Sequence, residues 1–234
     1  MGLQKELSRH PGLIRFAPFL VVVLLTACQG KLGLASAYWL YFIKLLIGLG
    51  LVIAFRPLIA EMRWAFSWTA VLVGVAVFAV WVGVSGEWTT QSSLWVKLGF
   101  TKTSKFLTPD WNPFEQFGHG SALAWFFVAV RILGSALVIP PIEEIFYRSF
   151  LYRYIAKHEF LSVPMNKFIP FPFLATMAIF GFAHNEWLAG LFCGAAYQWL
   201  VIRKGRLGDA MTAHAITNFL LGIWIVWRGA WHFW

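Results

Sequence analysis

Pro140-Pro141-Ile142-Glu143-Glu144-Ile145-Phe146-Tyr147-Arg148 follows directly on an apolar run from Ser121 to Ile139. Two adjacent carboxylates and an arginine at the end of such a run are chemically expensive, because ionisable groups inside a bilayer are costly and usually face a bundle interior where they have a function. On an α-helix Glu144 and Arg148 stand at i and i+4 and can pair. Glu143 is turned away from Glu144 by about 100°, so its partners must come from another helix. The plain alternative is a structural ion pair at a helix end near the membrane surface. The rest of the chain decides between the two.

Composition sets the environment. Of 234 residues, 59% are hydrophobic, 18% aromatic and only 12% charged, which excludes an ordinary soluble domain and indicates a polytopic membrane protein. The net charge of +9 does not point to nucleic acid, since no basic stripe is interleaved with exposed aromatics. The basic residues cluster between apolar runs, as orientation signals do, and the 14 tryptophans suit the membrane–water interface. Cys28 and Cys193 lie in separate apolar runs, so neither a disulfide framework nor a cysteine metal site is indicated.

The expected fold is an all-α transmembrane bundle of about seven spans. The first runs from Leu13 to Ala27; Leu25-Thr26-Ala27-Cys28 resembles a bacterial lipobox, but short apolar runs ending near a small residue are common in first helices. The second covers Ala37 to Phe55 and holds Lys44, which lines a cavity, snorkels or packs against a helix carbonyl. The third is Trp68 to Val84. Glu87 to Gly120, with Lys97, Lys102, Lys105 and the turn-prone Pro109-Asp110-Trp111-Asn112-Pro113, is a lid or a surface loop with an interfacial helix near Ser93 to Phe100. The fourth span starts at Ser121, carries Arg131 and continues, kinked, through Pro140-Pro141 to about Tyr154; a break there would make eight spans. The fifth ends at Phe180-Gly181-Phe182-Ala183-His184, the sixth is Trp187 to Ile202, and the seventh runs from Asp209 to Trp227. The whole chain reads as a single membrane domain, with N-terminal spans and the long loop in 1–119 and a catalytic core in 120–228.

Orientation follows from the basic residues. With the N-terminus inside, Lys5, Arg9, Arg15, Arg56, Arg63, Arg148, Arg153, Lys157, Lys167, Arg203, Lys204 and Arg206 fall on the inner side, 12 of 19. Lys31, Lys97, Lys102, Lys105 and Arg228 fall outside. That asymmetry predicts N-in, C-out.

Depth then tests the motif. Counting from basic or proline anchors at 1.5 Å per residue, Glu143, His184, His214 and Asn218 lie about 21, 18, 15 and 21 Å from the inner side. A lone intramembrane histidine is often a packing residue, whereas four polar groups at one level indicate a site. A carboxylate and an imidazole shielded from bulk water can hold and deprotonate one water molecule. A second imidazole with an amide NH₂ can donate to the oxyanion of a tetrahedral intermediate. Neither Ser149 nor Thr217 has the context of an activated nucleophile. Zinc held by Glu143, His184 and His214 is the rival account, but no His-Glu-x-x-His is present, and direct glutamate catalysis without a required cofactor is preferred.

Glu143-Glu144-x-x-x-Arg148, Phe180-x-x-x-His184 and His214-x-x-x-Asn218 together resemble the three motifs of the CAAX-protease and bacteriocin-processing (CPBP, Abi) intramembrane protease family. The resemblance covers about Arg131 to Leu221. It implies that Glu143 and His184 activate water, that His214 and Asn218 form the oxyanion hole, that Glu144 and Arg148 support the site, and that Phe180 packs. It further implies a membrane-associated protein or peptide substrate approaching from the cytoplasmic side. The short length and tryptophan-rich first half look most like the compact bacterial subgroup that accompanies exosortase systems, placing the protein in a bacterial inner membrane. Two other classes remain. A non-catalytic scaffold or immunity protein would use the same cavity for binding, and a proton-coupled transporter would more often show paired repeats and matching broken helices.

Overall fold

The computed structural model describes residues 6–100 and 111–234; Lys5, Lys102, Lys105 and Asp110 lie outside the described residues. The architecture is all-α, with no β-strand among the described residues beyond a lone antiparallel bridge between Thr90 and Glu186. In chain order the helices are α1 (Pro11–Cys28), α2 (Ser36–Phe55), α3 (Trp68–Val84), α4 (Gln91–Lys97), α5 (Pro113–Phe117), α6 (Ala122–Leu137), α7 (Ile139–Glu144), a π-helix (Ile145–Leu151), α8 (Tyr152–Ala156), α9 (Pro170–Phe182), α10 (Trp187–Lys204) and α11 (Gly208–Arg228). All seven expected spans are present as helices. Four stretches are long and apolar enough to cross a membrane, namely Pro11–Cys28, Ser36–Leu58, Ala122–Ala156 and Gly208–Arg228, while α3 and α9 are apolar but shorter. The protein is an integral membrane protein.

Helix starts are chemically marked. Ser67, Thr90, Asn112 and Ser121 accept hydrogen bonds from the backbone N–H groups of Ala70, Ser93, Phe114 and Leu123, satisfying donors that helix geometry leaves without partners. Proline stands in the first turn of α1, α5, α7 and α9, where its missing N–H costs nothing. This is why Pro140-Pro141 does not end the fourth span. A single turn residue, Val138, separates α6 from α7, and Ala122–Ala156 forms one apolar stretch long enough to cross a membrane. Ile145–Leu151 is π-helical, a wider turn than the α-helical one on either side of it.

The helices fall into two compact units. The first comprises Met1–Arg63, Asp110–Phe146 and Asn218–Trp234. Its core joins Val22, Tyr38, Tyr41, Leu45, Trp111, Phe127, Val138 and Ile142. A Cβ on Gly134 would lie 2.1 Å from Leu45 Cδ1, so α2 approaches α6 where a side chain cannot fit. Lys44 is buried rather than snorkelling: its Nζ donates to Thr26 Oγ1 at 3.1 Å and lies 4.3 Å from the Tyr41 ring centroid. The Arg131 guanidinium rests against the rings of Tyr41 and Trp111, 4.4 and 4.7 Å from their centroids. Arg15 is buried on Glu61 at 2.8 Å, so it serves the interior and not the surface count of basic residues.

The second unit comprises Trp64–Pro109 and Tyr147–Thr217. It contains α3 with α9, α10 and the first half of α11. A Cβ on Gly190 would meet Gly181 Cα at 2.9 Å, so α9 and α10 pack backbone to backbone, as small residues allow in membrane bundles. On the other side α3 and α11 are in register. Ser67 Oγ donates to Asp209 Oδ1 at 2.5 Å, Thr212 Oγ1 to Ala65 O at 2.9 Å and Thr217 Oγ1 to Gly74 O at 2.8 Å.

Candidate active site

Phe180 organises the second unit's share of the polar residues. It is fully buried on α9, two residues before the helix ends at Phe182. The Arg148 guanidinium lies 4.4 Å from its ring centroid, the His184 ring 4.5 Å, the Tyr147 ring 4.9 Å and the His214 ring 6.2 Å. A cation over a ring face is attracted by the ring quadrupole, and Arg148 also donates through Nη2 to Gly194 O at 3.4 Å.

His184 does not lie within a helix, as counting along the fifth span assumes. It occupies the turn after α9. That position is rigid nonetheless. The His184 N–H donates to Gly181 O at 3.1 Å, and Gln91 Nε2 donates to His184 O at 2.9 Å and to Phe182 O. The Gln91 N–H donates to Asn185 O at 2.8 Å. The start of the long loop is therefore tied to the histidine turn. His184 Nδ1 lies 2.7 Å from Phe180 O. A carbonyl can only accept, so Nδ1 carries the proton and a neutral ring presents its lone pair at Nε2. The next carboxyl, Glu186, is buried and receives a bond from Asn185 Nδ2 at 3.0 Å. Burial pushes its pKa above the usual carboxylate range against the opposing Asn185 bond.

His214 is buried in α11 and stacked by Tyr197 of α10, with ring centroids 5.0 Å apart. The Tyr197 hydroxyl donates to Thr217 Oγ1 at 2.8 Å, and Thr217 is anchored on α3 through Gly74 O.

Glu143, Glu144 and Asn218 belong to the first unit. Glu143 is half-buried and Glu144 fully buried in α7. Asn218 Nδ2 donates to Ser135 O at 2.8 Å, which uses one of its two amide hydrogens. The structure thus brings Arg148, Phe180, His184 and His214 together in one unit, while the other carries the carboxylates and the amide. Among the described residues no group of three or more His, Cys, Asp or Glu side chains is arranged to hold a metal ion.

Sequence reasoning misses Trp81, Gln91, Gly74 and Tyr197. Each touches a candidate histidine or its helix across a long sequence separation, so neither spacing nor hydropathy marks them. A glycine at the middle of the apolar α3, Gly74, is the one available hint. Thr217, which lacks the sequence context of an activated nucleophile, is here a strut between helices through its hydroxyl.

Residues 124–220 match the family model described as type II CAAX prenyl endopeptidase Rce1-like, which bears out the resemblance carried by the three motifs. No curated protein and no solved structure matched the chain.

Proposed function

We propose that this integral membrane protein, whose residues 124–220 match the Rce1-like CAAX endopeptidase family, is an intramembrane endopeptidase of the glutamate type. Glu143 takes the proton of a water molecule that His184 orients through Nε2, and the water oxygen attacks the peptide carbonyl. His214 and the remaining amide hydrogen of Asn218 donate to the oxyanion. Glu143 returns the proton to the leaving amine, so the cycle closes without a covalent intermediate. Glu144 and Arg148 support the site, and Phe180 spaces Arg148 and the two imidazoles.

The observation that carries this reading is the bond from His184 Nδ1 to Phe180 O at 2.7 Å, because it selects the tautomer that can receive a hydrogen from water. The substrate is a membrane-associated protein or peptide. The basic segments Arg153 to Lys167 and Arg203 to Arg206 guide its juxtamembrane tail from the cytoplasmic side of a bacterial inner membrane, with the N-terminus inside.

Comparative membrane proteomics of cells carrying wild type, Glu143→Gln or His184→Ala tests the proposal. New termini should appear with wild type and vanish with either variant. Termini that persist in Glu143→Gln overturn it. Cleavage abolished by a chelator and restored by zinc would transfer the role to a metal at Glu143, His184 and His214.

A further inference from the structure

Trp81 lies on α3, outside the stretch that matches the family. Its indole meets the His184 imidazole edge to face, with centroids 5.6 Å apart and planes at 79°. Its position is fixed from below, since Ser85 donates to Trp81 O through both its N–H, at 3.1 Å, and its hydroxyl, at 2.6 Å. The indole Nε1 is shut away from solvent and has no hydrogen-bond acceptor among the described residues. Native proteins keep few such buried donors, and each calls for a reason. Packing alone does not supply one, because phenylalanine offers the same edge to an imidazole without a donor to satisfy.

A substrate supplies the reason. A peptide cleaved inside a bilayer must be extended at the scissile bond, and its main-chain carbonyls then lose their helical partners where no water replaces them. The enzyme has to provide donors. We propose that, when a bound peptide parts the side chains enclosing it, Trp81 Nε1–H donates a hydrogen bond to a main-chain carbonyl of that peptide beside the scissile bond, making Trp81 a substrate-binding residue that holds the chain against His184. The contact is to backbone, so it fixes register without selecting a side chain. This inference rests on His184 being the water-activating imidazole.

The test replaces Trp81 by 3-benzothienylalanine, which keeps the fused ring and exchanges N–H for sulfur, and separately by Phe. New termini are quantified over time in membranes of cells expressing each form at equal level, beside wild type and Glu143→Gln. The expected result is a fall of about 10- to 100-fold in the rate of cleavage for both Trp81 forms, as one lost donor to substrate gives, with the thermal midpoint of the benzothienyl form unchanged. A benzothienyl form cleaving at the wild-type rate, with Glu143→Gln silent, overturns the Trp81 role alone. A lowered thermal midpoint in that form also overturns it, because the N–H would then serve the fold. Termini that persist in Glu143→Gln remove the parent reading and this one together.

Discussion

Tyr197 lies stacked on the His214 imidazole at 5.0 Å and 28° between planes, and its hydroxyl is held by Thr217, three residues further along His214's own helix. The stack and the hydroxyl bond are separable. Tyr197→Phe keeps the ring and should cost about 1 kcal/mol, the usual net value of one hydrogen bond. Thr217→Val should cost more, since it also removes the bond from Thr217 Oγ1 to Gly74 O that ties α11 to α3. In a double-mutant cycle read by thermal unfolding the two losses should be less than additive, and strict additivity would show that the bond contributes nothing.

Gly74 is the point where α3 meets α11. A Cβ there would stand 2.6 Å from Ala213 O and 2.9 Å from Ile216 Cβ, and a backbone oxygen cannot step aside as a flexible side chain would. Gly74→Ala should therefore destabilise by about 1–3 kcal/mol and displace His214. An unchanged melting temperature together with full activity would contradict this.

Asn218→Ala should reduce cleavage by about 10²- to 10³-fold without abolishing it, the usual loss for one oxyanion donor with a second retained. Glu143→Gln in the same assay should reach background. Equal loss in both variants would mean that Asn218 does more than donate to the oxyanion.

The Glu186 carboxyl sets a pH dependence. Burial makes it harder to ionise in the folded protein than in the unfolded chain. A raised folded pKa means that stability is full at low pH and falls as pH rises through that folded value. Glu186→Gln removes the titration. Its melting temperature relative to wild type should therefore be higher near neutral pH than at about pH 5, where model carboxyls begin to protonate. A difference that does not change with pH would refute the assignment.

The helices were legible because their signals are local. The boundaries of α3 coincide with the apolar run Trp68 to Val84, as Ser67 caps its start. The apolar runs alone specify spanning helices, since a bilayer leaves backbone groups no partner outside the segment. The three motifs all lie within residues 124–220, the stretch that matches the Rce1-like model, and Phe180 and His184 do meet through the i to i+4 relation their spacing implies.

What only tertiary structure decided is which helix lies against which. α3 is apolar on every side, so no periodicity predicts the face it turns to α11, and the contacts of Gly74 and Trp81 link residues about 100 or more positions apart. The π-helical turn at Ile145–Leu151 is equally hidden, because the same residues satisfy an α-helical pattern and packing selects the wider turn. Sequence singled out Glu143, His184, His214 and Asn218 as candidates, because the side-chain types and their spacing are read directly from it. The tautomer of His184 and the support of His214 depend on partners that only folding brings within hydrogen-bond reach.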